Sequence, residues 1–358
     1  MRRLPDNARL VALAAALAVA WFACGFGFLS REEERVWETV RRGQERLWET
    51  QEKQGIALSP EEDRLRTGLI GEEWSPLTTT LGEIRAKRTS CHPLWAVQYL
   101  DWFDELGLEP GDPIVVYSSS SFPALLLSAL VAAESRELDV LLSVSLGSSM
   151  WGANRSDFPW PRMAQTLRSG GFVCTNPAFY TPGGGGEAGG GLSHETMQLL
   201  LELAREEGVP LLVARDLGEA VADKTARMLE HRPRLLISVG GSNANMGDSE
   251  IAADIPPGLI LPGRVDTRRL GDGVIAEAIA AGIPVLHMLN MKQLAYECGI
   301  PWDPASFGKL RRGTRPLPAL LGLALFALVL CTHRRWRIEP MEGIGEPKPY
   351  GSPERHDE

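Results

Sequence analysis

Three clusters of small polar residues stand out, Ser118-Ser119-Ser120-Ser121, Gly147-Ser148-Ser149-Met150-Trp151-Gly152-Ala153-Asn154 and Gly240-Gly241-Ser242-Asn243-Ala244-Asn245, each directly after a short apolar run. Hydroxyls and side-chain amides are neutral hydrogen-bond donors, and glycine leaves backbone amides uncovered. Such loops suit an anion, either a carboxylate or a phosphate. Each loop by itself is also ordinary turn and helix-cap chemistry. Their value as a site depends on whether the fold gathers them. On that condition the candidate ligand-binding residues are Ser118, Ser119, Ser120, Ser121, Ser148, Ser149, Asn154, Gly240, Gly241, Ser242, Asn243 and Asn245, with Asn290 beside them.

A nucleophile is harder to find. Ser121-Phe122-Pro123 opens a helix after a strand, as a hydrolase serine does, but the Gly-x-Ser-x-Gly elbow is absent. His287 lies among Val285, Leu286, Met288 and Leu289 and reads as a core residue; His194 begins a helix, where its cation is disfavoured. No Ser, His and Asp arrangement follows from spacing, so no catalytic residue is assigned. Asp157, Asp248 and Asp272 read as well as turns and caps as they do as ligands, and Cys91, Cys174 and Cys298 lack paired spacing, so no metal is expected and no cofactor is implied. A different chemistry is suggested by Trp74 and the adjacent cations Lys87 and Arg88, which flank a run of three threonines and could grip an acidic polymer.

The elements that must position these residues alternate. Helices are predicted over 93–106, 122–137, 194–207, 217–231, 272–281 and 291–298, and strands over 113–117, 139–144, 209–214, 235–239 and 284–289. Short strands that are nearly continuous in Val, Ile and Leu imply an α/β fold, a mostly parallel sheet with helices on both faces. The three polar loops follow strands that should run the same way, and right-handed crossovers would then place them on one edge. Residues 31–54 carry Trp37, Val40, Leu47 and Trp48 at helical spacing and read as an amphipathic stalk helix whose apolar stripe packs on the domain, or else on another copy of the stalk. The glycine run 182–191 follows no clear strand and reads as a flexible lid or linker.

Two uncharged runs, 20 residues over 10–29 and 17 over 316–332, are long enough to be transmembrane helices. With Arg2, Arg3 and Arg9 before the first, they predict a two-pass cell-membrane protein with an extracytoplasmic central domain. The expected order is a short tail at 1–9, a span at 10–29, a stalk at 30–59, an α/β domain at 60–308, a span at 316–332 and a disordered tail at 333–358. A formal net charge of −9 argues against nucleic acid as a partner.

The string Glu72-Glu73-Trp74-Ser75-Pro76-Leu77-Thr78-Thr79-Thr80-Leu81-Gly82, with Ala86-Lys87-Arg88-Thr89, Ser121-Phe122-Pro123-Ala124 and Trp151-Gly152-Ala153-Asn154, resembles the poly-gamma-glutamate system protein family. Where that pattern leads one to expect a glycine in the serine loop, this chain has four serines. The resemblance implies a membrane accessory component of poly-gamma-glutamate synthesis or export, partnered by the bilayer, by other membrane proteins of that system and by an acidic polymer. Two functions remain open. One is a binding component for the polymer or a phosphorylated intermediate; the other is a serine-dependent hydrolase or transferase acting on the polymer.

Overall fold

The computed structural model of the chain describes residues 11, 13–19, 26–248, 250–309, 311–312 and 320–327. Two compact units are present, one over Gly27–Arg312 and one made of the two chain ends. The elements below all belong to the first.

Strand β1 (Thr78–Thr80) precedes helices α2 (Ile84–Ser90) and α3 (Leu94–Glu105); α1 (Arg31–Lys53) comes before all of them. Then follow β2 (Pro113–Ser119), α4 (Pro123–Ser135), β3 (Asp139–Ser145), β4 (Ser148–Ser149), α5 (Trp160–Ser169), β5 (Phe179–Thr181), α6 (His194–Glu207), α7 (Leu217–His231), β6 (Leu235–Val239), α8 (Asn243–Met246), β7 (Gly258–Ile260), α9 (Val274–Ala280), β8 (Val285–Met288) and α10 (Met291–Glu297). Six strands form one sheet in the order β5-β3-β2-β6-β8-β7, parallel throughout except that β7 runs against β8.

Strand residues alternate between two apolar clusters because successive side chains leave opposite faces of a sheet. Ile114 and Val116 join one cluster with α1, α3, α4 and α5, whereas Val115 and Tyr117 join the other with Met228 of α7 and Val274, Ile275 and Ala278 of α9. Helices therefore cover both faces, and α4, buried from Pro123 to Ala133, crosses the centre.

Four expectations change. Helix α1 does form, started by Ser30 and Glu33 in a reciprocal cap, and its stripe packs on the domain, so the helix lies against the fold instead of standing off it as a stalk. Its Val36, Val40, Leu47 and Trp48 are buried and it packs on α3, α4 and α5. The run 209–214 is not a strand; it makes one bridge, Leu211 to Tyr180. The glycine run does follow a strand, β5, whose three residues are too few for a period to show. The fourth correction concerns the membrane. Among the described residues no helix is long and apolar enough to cross one, which overturns both transmembrane flanks and the two-pass localisation. Within those two segments residues 10, 12, 20–25, 316–319 and 328–332, together with the tails 1–9 and 333–358, lie outside the described residues.

Candidate functional site

The order of the sheet fixes where a site can form. From β2 the chain moves to β3 and β5 on one side, then returns through α7 to β6 on the other. That reversal opens a crevice above the carboxyl ends of β2 and β6, the usual ligand position in open parallel sheets. A cavity of about 230 Å³ lies there, lined by Thr79 and Thr80, Ser119 and Ser121, Ser145 and Gly147, 183–185 with Glu187, and 241–243.

Of the serine loop, only Ser119 and Ser121 reach this cavity. Ser118 and Ser120 turn inward to backbone carbonyls, Ser120 Oγ donating to Ser145 O at 2.7 Å. From the third loop Gly241, Ser242 and Asn243 line it. Gly240 has φ +81°, and a Cβ there would lie 2.2 Å from Ser119 Oγ, so the bare backbone is what lets the two loops approach. Asn245 is structural: it donates to Tyr117 O at 3.2 Å and to Ser238 Oγ at 3.1 Å. Asn290 is exposed, bonded to Gln293, and outside the lining.

The middle loop is used differently from its reading as a ligand loop. Ser148 Oγ donates to Ser120 O at 3.0 Å, and β4 pairs in parallel with β1, Thr78 with Ser148 and Thr80 with Ser149. That pairing brings Thr79 and Thr80 to the cavity. Asn154, a candidate ligand residue, is instead fully buried and pins the Glu72 segment. Its Oδ1 accepts from Glu72 N at 2.9 Å, and its amide donates to Glu72 O at 2.8 Å and to Thr78 Oγ1 at 2.9 Å. Asn154→Ala should therefore lower unfolding free energy by about 1–3 kcal/mol, the penalty for stranding buried polar groups. Urea denaturation measures it, and a shift below about 0.5 kcal/mol would return Asn154 to the exposed loop residues.

The polymer-contact trio also separates. Trp74 is exposed, away from the cavity. Arg88 donates to the carbonyls of Glu62 at 2.7 Å and Glu61 at 2.8 Å. Lys87 is buried, so it is corrected from a surface contact to an interior cation. Its Nζ donates to Ser121 O and, at 2.7 Å, to Ser149 Oγ, and sits 3.8 Å from the centre of the Phe122 ring. Among the described residues no carboxylate pairs with it. Burial without a counter-charge lowers its pKa to about 7.

Seven residues were missed: Ser145, Thr181, Glu187, Lys224 and the glycines 183–185. Glu187 is 1% exposed and receives Lys224 Nζ at 2.9 Å, Thr181 Oγ1 at 2.7 Å, Ser242 Oγ at 2.7 Å and Ser145 Oγ. Burial by itself would raise its pKa; the ammonium and the hydroxyls outweigh this and lower it to about 2. One signal was legible, since Lys224 falls between Ala220 and Met228 on the buried stripe of α7, a place for an apolar residue unless a buried partner awaits. Among the described residues no cluster of His, Cys, Asp or Glu could hold a metal. Compared with the models of known protein families and with curated proteins, the chain matches none of them.

Proposed function

We propose that this chain is an accessory component of a poly-gamma-glutamate synthesis or export system, and that the cavity at the carboxyl edge of its sheet binds an anionic group, a glutamyl carboxylate or the phosphate of an intermediate. The observation that supports this is the lining: beside the Glu187 carboxylate, whose charge is matched by Lys224, it consists of hydroxyls, one side-chain amide and bare glycine backbone, converging from β1, β2, β3, the loop after β6 and the glycine loop. Neutral donors suffice for an anion, because a hydrogen bond to an ionised acceptor is about twice as strong as one between neutral groups. The resemblance of the 72–82 string supplies the system, and Thr79 and Thr80 of that string stand in the cavity wall.

Titration of the full chain with a γ-linked glutamate oligomer and with inorganic phosphate at pH 7 tests the reading. Ser119→Ala with Asn243→Ala should weaken the bound anion by about tenfold or more, since one hydrogen bond to a charged group is worth about 1.5–3 kcal/mol. Neither probe binding, or an affinity that ignores both substitutions, would sink it.

A serine-dependent hydrolase or transferase is the second reading, and one contact favours it. Lys87 Nζ is 2.7 Å from Ser149 Oγ, and a lysine with its pKa lowered to about 7 can take a proton from a serine. A fluorophosphonate probe should then label Ser149, with the label lost in Ser149→Ala and Lys87→Met and kept in Ser118→Ala. An unlabelled native chain rules the nucleophile out.

A further inference from the structure

Glu187 stands alone in a run of glycines, at φ +60°, with five glycines of the run from Gly183 to Gly191 also at positive φ. No other acid in the chain is so flanked, and its side chain is almost fully buried. The four groups that hold its carboxylate all come from outside the loop. Ser145 ends β3, Thr181 ends β5, Ser242 caps α8 and Lys224 projects from α7. Lys224 is itself held in place by Asn245 Oδ1 at 3.2 Å and the Tyr117 ring at 5.3 Å. The groups around the carboxylate are therefore set at the ends of strands, at a helix cap and on a helix, while the carboxylate itself is carried by the glycine loop.

The loop is bonded chiefly to itself. Gly185 N donates to Gly190 O at 2.9 Å, Glu187 N to Gly184 O at 3.0 Å and Gly189 N to Gly183 O at 2.8 Å. Glycine loses more conformational freedom on ordering than any other residue, and a buried ion pair adds little net stability over an apolar contact. A carboxylate placed this way is a weak structural device. Its position suits another role, because Glu187 is the residue common to two cavities. One is the cavity already described. The other, about 280 Å³, is lined by Thr181, Lys224, Arg227, Asp223 and Glu219 and by the 211–214 segment.

We propose that Ser145, Thr181, Ser242 and Lys224 form a receptor for an aliphatic carboxylate of the ligand, and that Glu187 occupies this receptor in cis until the glycine loop swings out. This rests on the anion-binding reading above and adds to the donors Ser119 and Asn243 a second, inner set, together with the carboxylate class and a displaceable internal competitor. With the loop withdrawn, the two cavities meet at the receptor. A chain carrying successive carboxylates could then lie across it.

The test uses the full chain, a γ-linked glutamate decamer as probe and inorganic phosphate as the comparison. Bound ligands ordinarily slow amide exchange around them; here saturating decamer should speed exchange at Gly185, Glu187, Gly189 and Gly190 in the unaltered chain, because the loop is displaced. Glu187→Gly, which deletes the competitor, should raise decamer affinity about tenfold or more, as removing an intramolecular occupant at millimolar effective concentration does. Adding Lys224→Met to Glu187→Gly should cancel that gain, and this double variant also removes the unpaired buried cation that could unfold the single one. Decamer binding that protects the loop, with no gain in Glu187→Gly, overturns the displacement and leaves the anion-binding reading standing. Phosphate gaining as much as the decamer overturns the carboxylate assignment. No binding by the unaltered chain or either variant overturns both.

Discussion

Lys224→Met should leave the Glu187 carboxylate buried with three hydroxyls and no cation, a penalty of about 3–5 kcal/mol for breaking a buried pair from one side. Because the acid is on the glycine loop, the chain can escape most of that penalty locally by releasing the loop. Amide exchange at Gly185, Gly189 and Gly190 should accelerate by about two orders of magnitude or more, since each 1.4 kcal/mol is roughly tenfold. The global urea midpoint should move by less than the full penalty. The pH dependence has a definite sign. Glu187 has a folded pKa lowered to about 2 from 4.5, so its contribution is complete above about 4.5 and is lost as pH falls through about 2. In Lys224→Met the lowering influence of the ammonium is gone, and acid should close the loop rather than open it. Unchanged loop exchange, with the whole penalty in the global midpoint, would show that the loop is an integral part of the fold.

The second large effect belongs to Lys87. Burial sets its folded pKa at about 7, well below the unfolded value near 10.4. Between those values the unfolded chain holds a proton that the folded chain has shed, so stability rises with pH, by up to about 1.4 kcal/mol per unit. The penalty for burying the ammonium is fully present below about pH 7 and is relieved above it. Integrated from pH 7 to 9, the gain is about 2 kcal/mol, and over the whole interval roughly 4. Other groups titrate here too: burial pushes Cys91 up to about 12, which opposes the rise in alkali. The measurement is therefore the difference between the unaltered chain and Lys87→Met, by urea denaturation at half-unit steps from pH 6.5 to 9. A difference that is flat with pH would mean that Lys87 stays charged, through an anion in the neighbouring cavity. Repeating the series with the γ-glutamate oligomer present separates these cases, since a bound carboxylate near Ser121 should raise the pKa of Lys87 and flatten the curve.

Much of the architecture was readable because it is written in local periods. The Val and Ile runs at 113–117 and 235–239 and the Leu and Ala helix after Phe122 are complete signals within a few residues, and they yield a parallel sheet covered on both faces. That three polar loops sit at the carboxyl ends of strands follows from the same local reading. What it could not contain is partnership across the chain. Asn154 looks like any loop amide until Glu72 and Thr78, some eighty residues earlier, are laid beside it. Lys87 looks like half of a surface cation pair until α2 turns it toward Ser149 and the Phe122 ring, while Arg88, one residue on, faces the other way.

The uncharged runs 10–29 and 316–332 mark where length and hydropathy alone mislead, since a run of apolar residues states a capacity to span and not a continuous helix; among the described residues no such helix exists. β5 escaped notice because three residues carry no period, and with it went the placement of the glycine run. By itself the sequence determined the class of fold, the direction of most strands and the chemistry available at their ends, all consequences of short-range sterics and hydrophobic alternation. Only the tertiary structure decided that β2 and β6 are neighbours, that the crevice opens between them, and that one glutamate from a glycine loop is held by Thr181 nearby and by Ser145, Lys224 and Ser242 far along the chain. Strand order and long-range pairing depend on which surfaces pack, and packing is a property of the whole chain rather than of any window within it.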